Sequence, residues 1–331
     1  MNITTEVNWT SSDDSNIPFY LHVWLMQMSL INGIISILGF IFNTLILIIM
    51  PRKAVNVSRI AKIYYLVAVF GDLLIMGKLF SIFILTLVSC YNKTQLYTFI
   101  TSIEFFWKIM ISLYFEGETL SNYAVFILSL ERLTSIIFPR WTKKVLNLQA
   151  QIMFLITILA PLLIYNAVFG MIFIKVRSSN INQALKTVDI ERNDPGNVEF
   201  YFLIKLLTFS LPIFGSFFTS CLILIQLSRI RSRRQMDHLN RTRQYQETHR
   251  NSRKLLKSCR IAVALNFLNI ILYLPTLITW CTIDILTMMS VISDKLIMIG
   301  LTFNSLTGIA HIGNFFVYVS LIPSFQRQFQ N

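Results

Sequence analysis

Charge is what this chain has least of. Only 14% of its 331 residues are charged and the mean hydropathy is +0.60, whereas a soluble domain carries about 25% charge. That balance excludes a chain whose main solvent is water. Glycine and proline are also scarce, at 11 and 8 residues, and no stretch is repetitive, which excludes a disordered linker or a repeat array. The four cysteines, Cys90, Cys221, Cys259 and Cys281, contain no closely spaced pair, so neither a zinc knuckle nor a dithiol redox motif is present. They are either unpaired thiols or include a Cys90–Cys281 bridge. His-Glu-x-x-His, Gly-x-Ser-x-Gly and phosphate-loop motifs are missing, and His22, His238, His249 and His311 are too dispersed for a recognised metal spacing. The chain is therefore not expected to be an enzyme, and His311 reads as a packed, hydrogen-bonded residue.

Long apolar runs are what is present. A helix crossing the hydrocarbon core needs about 20 mostly apolar residues, and seven stretches qualify: 24–50, 63–89, 99–137, 149–175, 200–228, 255–283 and 291–321. A net charge of +13 could point to nucleic acid, but most of the 29 lysines and arginines gather in alternate short gaps between these runs. That pattern is a topology signal, and no nucleic-acid partner is expected. Arg52, Lys53, Arg59 and Lys62 fill the first gap, and Arg132, Arg140, Lys143 and Lys144 flank the third. A dense series from Arg229 to Arg260 fills the fifth. The segment before Trp24 has no lysine or arginine and carries Glu6, Asp13 and Asp14, which places it outside the cell. The sequons at Asn2, Asn8 and Asn92 fall on that same side and are the expected glycosylation sites. Those at Asn56 and Asn240 fall inside and should stay unmodified. The polar start lacks the basic region of a cleavable signal, so the first span is expected to act as its own.

Seven spans are shared by receptors, some transporters and light-driven pumps; the residues at the helix ends separate them. The third span closes on Glu131-Arg132-Leu133-Thr134-Ser135-Ile136-Ile137-Phe138-Pro139, which resembles the Asp/Glu-Arg-Tyr motif of rhodopsin-like G-protein-coupled receptors. Asn314-Phe315-Phe316-Val317-Tyr318 in the seventh is similar to the family's Asn-Pro-x-x-Tyr, with phenylalanine in place of proline. Phe325-Gln326-Arg327-Gln328-Phe329 follows where the family places a short amphipathic eighth helix. Gly39-Phe40-Ile41-Phe42-Asn43, Asp72, Pro212 and Pro275 add a match each in the first, second, fifth and sixth spans. The resemblance implies an all-α membrane protein, a seven-helix bundle with an eighth amphipathic helix. Its parts would be an extracellular segment at 1–23, the receptor domain at 24–321, and helix 8 with the cytoplasmic tail at 322–331. It also implies activation-switch roles for Glu131, Arg132, Tyr273, Pro275, Asn314 and Tyr318, with a heterotrimeric G protein and membrane lipids as partners at the plasma membrane.

Departures mark a divergent member, of the invertebrate peptide-type or chemosensory kind. Trp107 stands where the family's third helix carries a disulfide cysteine, and residues 176–199 contain none. Leu272-Tyr273-Leu274-Pro275 replaces Cys-Trp-x-Pro, Ser220 replaces a common tyrosine, and the fourth helix lacks the usual tryptophan.

Ionisable residues inside the spans are costly, about 2.5–3.5 kcal/mol each when isolated at mid-membrane, so they mark function or pairing. Asp72, with Ser121 and Asn314, resembles the family's allosteric sodium site; the alternative is a neutral acid that hydrogen-bonds. Nearer the outside lie Lys78, Glu104, Lys108, Glu116, Glu118, Lys205 and Asp284. Helical spacing puts Tyr114, Glu118 and Ser121 on one face, and Glu118 is placed to pair with Lys78. Lys78, Tyr114, Glu118, Lys205, Tyr273 and Asp284 form the expected ligand pocket. Tyr114 stands where amine receptors carry aspartate and Gly308 where opsins carry the retinal lysine, which argues against both ligands. A mixed-charge cavity suits a peptide, with amidated neuropeptides preferred. A small chemosensory ligand is the alternative, and a transporter the rival from another class, although no internal repeat supports it.

Overall fold

An apolar run in lipid has no water to satisfy its N–H and C=O groups, so it closes its hydrogen bonds internally as helix. A computed structural model describes residues 19–52, 55, 57–91, 104–139, 142, 148–172, 206–237, 245–288, 294–322 and 325. Its α-helices are α1 (Phe19–Ile49), α2 (Arg59–Tyr91), α3 (Glu104–Ile137), α4 (Leu148–Ile172), α5 (Leu211–Asp237), α6 (Tyr245–Met288) and α7 (Asp294–Leu321). No strand occurs among the described residues. Six helices contain a stretch long and apolar enough to cross a membrane: Met26–Ile49, Arg59–Ile84, Lys108–Ile137, Leu148–Val168, Leu206–Ile230 and Cys259–Thr279. The apolar part of α7, Ser305–Leu321, is shorter. The protein is thus a helical, multi-pass membrane bundle.

Helix ends differ from the apolar runs where polar helix formers extend them. The fifth helix continues past residue 228 to Asp237 and the sixth starts at Tyr245 rather than 255, because Arg, Gln and Lys favour helix once outside the bilayer. Packing runs α1 on α2, α2 on α3, and α3 on α4, α5 and α6, with α7 closing the ring against α6 and α1.

Polarity is distributed inside out. Ile34, Ile41, Ile164, Phe218 and Ile271 are exposed, while Asn43, Asp72, Glu118, Ser121, Asn266 and Asn314 are buried. In water that outer surface would be a large apolar patch; in lipid it is the solvated face, and the polar groups have been drawn inward to one another.

Two local features position the centre. A Cβ at Gly71 would lie 2.5 Å from the Gly117 carbonyl oxygen and 2.7 Å from the Ser121 nitrogen. The lack of a side chain at both glycines lets α2 and α3 touch backbone to backbone, and this brings Asp72 beside Ser121. Before α5, Leu206–Ser210 forms a π turn, whose i to i+5 pattern would have the residue 212 amide donate to Leu207. Pro212 has no amide hydrogen, and the Tyr123 hydroxyl of α3 donates to the Leu207 carbonyl instead, at 2.8 Å.

Candidate functional site

Four helices converge on one buried polar cluster. From α2, Asp72 Oδ1 accepts from the Ser121 hydroxyl of α3 at 2.6 Å, and its Oδ2 accepts from the Asn314 amide of α7 at 2.8 Å. His311, one turn before Asn314 on the same face of α7, places Nδ1 2.5 Å from Asp72 Oδ1. The other ring nitrogen, Nε2, contacts the Tyr273 hydroxyl of α6 and lies 3.6 Å from Glu118 Oε1 of α3. Tyr273 donates to Glu118 Oε2 at 2.7 Å, and Asn122 donates to the same oxygen at 3.2 Å. Asp72 and Glu118 are fully buried, and His311 is 1% exposed.

Residues expected in two separate places are therefore joined. Asp72, Ser121 and Asn314 meet as the sequence reading grouped them, while Glu118 and Tyr273, expected to line an outer ligand pocket, reach into the same cluster through His311. Tyr114 lies further out, its ring tilted against Phe115 and Phe209. Lys78 sets Nζ 3.5 Å over the Tyr114 ring, a cation–π contact, rather than hydrogen-bonding to Glu118. Gly308 is buried where an added Cβ would press on Ile35 and Leu79, so a lysine has no room there. Lys205, Asn2, Asn8, Asn92 and residues 326–331 lie outside the described residues, as do the side chains of Cys90, Glu104, Trp107 and Asp284.

Toward the C-terminal end of α3 the Glu131–Arg132 pair forms. Arg132 Nε is 3.0 Å from Glu131 Oε2, and Ser135 donates to Glu131 Oε1 at 3.3 Å. Arg132 Nη2 also donates to Ser58 Oγ at 2.9 Å. The same Ser58 oxygen accepts from the Ala61 amide at 3.2 Å and so caps the start of α2. Both Glu131 and Arg132 are buried. Cys259 and Val263 of α6 pack with Ile223 of α5 against Leu133 and Ile136 of α3, which holds α5 and α6 against this end of α3. Tyr318 is fully buried beside Tyr65, ring centroids 4.9 Å apart. Phe315 stacks on Phe42 at 4.5 Å, and Phe325 packs edge-on to Phe315. Pro275 leaves the α6 ladder one amide short, and Thr276 beside it donates to the Phe303 carbonyl of α7 at 2.7 Å.

Sequence reasoning missed several polar contacts. Asn166 of α4 donates to Thr119 at 2.7 Å, and Asn266 of α6 donates to Ser129 at 2.8 Å and Ser220 at 2.6 Å. Ser58 was also overlooked. The available signal was an amide or hydroxyl inside an apolar run, where hydrocarbon offers no partner and another helix must. For His311 the signal was its one-turn offset from Asn314. No protein-family model matches the chain, and no characterised protein matches it significantly.

Proposed function

We propose that this chain is a rhodopsin-like G-protein-coupled receptor. It crosses the plasma membrane seven times with its N-terminus outside, binds an extracellular ligand, best a peptide, and activates a heterotrimeric G protein. The observation that carries the reading is the buried arginine at the inner mouth. Arg132 is balanced by its own neighbour Glu131 and tethered to the cap of α2 through Ser58. α6, meanwhile, is packed shut against α3 and α5. A buried arginine at a membrane boundary is expensive, and one held by an adjacent acid is a cation that a conformational change can release to a partner.

The mechanism is a population shift. A ligand with higher affinity for an open bundle favours separation of the inner ends of α5 and α6 from α3, which exposes Arg132 to a G-protein helix. Linkage makes the effect reciprocal: the bound G protein raises ligand affinity by the same factor. Lys78, Tyr114, Lys205 and Asp284 are the residues assigned to ligand recognition, and the basic turns at the ends of α5 and α6 are assigned to anionic headgroups and the G protein. No part of this requires a catalytic group or a cofactor.

The test is G-protein activation in cells displaying the chain at the surface, challenged with amidated peptides and with small odorants. A response to one class that Arg132→Ala abolishes, at equal surface expression, establishes coupling and assigns the ligand, including the chemosensory alternative. Surface expression without response to any ligand or G protein, together with substrate flux across the membrane, would replace this reading with a transporter.

A further inference from the structure

The grouping of Asp72, Ser121 and Asn314 suits a hard cation in its donor types, carboxylate, hydroxyl and amide, but both oxygens of the Asp72 carboxylate are already engaged by other side chains. Asp72 Oδ1 already accepts from Ser121 and faces His311 Nδ1 at 2.5 Å, and Oδ2 accepts from Asn314. Asn314 turns its amide nitrogen, not its oxygen, toward the carboxylate. The far side of the ring meets a second buried acid, Glu118, at 3.6 Å and directly contacts Tyr273.

Hydrogen-bond directions set the ring between two acids. Tyr273 has one hydroxyl hydrogen and gives it to Glu118 Oε2 at 2.7 Å, so its oxygen accepts from His311 Nε2. Nδ1 of the same ring lies 2.5 Å from Asp72 Oδ1. Two buried acids on α2 and α3 thus share one ring that belongs to α7. Lys78 sets its ammonium over the Tyr114 ring and also interacts electrostatically with Glu118.

We propose that the His311 ring occupies the centre of a monovalent-cation site built from Asp72, Glu118, Ser121, Asn314 and Tyr273, so that the native protein does not bind sodium there and acquires a sodium site when the ring is removed. With the ring gone, the Lys78 ammonium beside Glu118 is shared between two buried acids, whose remaining desolvation cost is uncompensated, and a small hydrated cation is the ligand that relieves it. The inference is independent of the receptor reading, since it concerns only what the cluster binds.

The experiment is thermal unfolding of the purified full chain in sodium chloride against choline chloride at equal ionic strength, for wild type, Asp72→Asn, His311→Ala and His311→Ala with Asp72→Asn. Ligand that binds only the folded state raises Tm with its concentration. Wild type is expected to show the same Tm in both salts. His311→Ala is expected to gain a saturable, sodium-specific rise of several degrees that the added Asp72→Asn removes. If His311→Ala does not fold, His311→Asn, which keeps a polar group of similar length, is read in its place. A saturable sodium effect in wild type that Asp72→Asn abolishes would overturn the proposal by showing a site the ring does not fill. A folded His311→Ala or His311→Asn indifferent to sodium would overturn it by showing that the carboxylates form no cation site.

Discussion

The central cluster and the inner-end pair use the same chemistry to different ends. At the centre, ionisable side chains on α2, α3 and α7 and a hydroxyl on α6 answer one another across helices. At the inner end, Arg132 is answered by its own neighbour on α3, and its reach to another element goes to the cap of α2. A charge satisfied between helices ties their positions together, and losing one member strands the others in low dielectric. A charge satisfied within one helix travels with that helix. The centre is therefore suited to hold the bundle, and the inner pair to release a group without unfolding anything.

The sharpest way to break this contrast is Asp72→Leu. It leaves His311 with one acid rather than two and removes the acceptor for Ser121 and Asn314, so stability should fall by about 3–5 kcal/mol, read as loss of surface expression and a lower Tm. A loss no larger than that of an inner-end substitution would erase the distinction. Gly117→Ala attacks the same centre through the backbone. Its Cβ would press on the Gly71 carbonyl oxygen, and forcing α2 from α3 should cost about 1–3 kcal/mol.

Six long apolar helices were legible because hydrocarbon imposes a length and composition on anything that crosses it; the seventh run is a helix whose apolar part, Ser305–Leu321, is shorter. Glu131 with Arg132 was legible because the partners are adjacent in sequence. So was the meeting of Asp72 with Ser121 and Asn314, though only through the spacing of a resemblance. The part His311 plays was not, because a histidine in an apolar run looks the same whether it caps a backbone carbonyl or bridges two acids. The answer depends on the azimuth of α7, which periodicity leaves open when apolar residues are spread almost evenly round the helix. The expected pairing of Glu118 with Lys78 is electrostatic rather than a direct hydrogen bond, for a related reason. The two stand on neighbouring helices at similar depth, but Tyr114 sits below the ammonium and Tyr273 takes the carboxylate.

At the inner end the expected losses are smaller. Ser58→Ala removes both the cap of α2 and the acceptor for Arg132, and should lower stability by about 0.5–2 kcal/mol, with Tm shifting less than for Asp72→Leu. If its shift equals that of Asp72→Leu, the inner end is structural as well.

Glu131→Gln is the most direct test. It keeps the shape and removes the charge that balances Arg132, so the functional change is the largest of the series. Nucleotide exchange on purified heterotrimeric G proteins, measured without ligand on the reconstituted chain, should be faster for Glu131→Gln than for wild type with at least one class of G protein. The gain should vanish when Arg132→Ala is added. Exchange rates identical to protein-free vesicles for wild type and Glu131→Gln alike, across all G-protein classes and with the chain folded, would contradict the account.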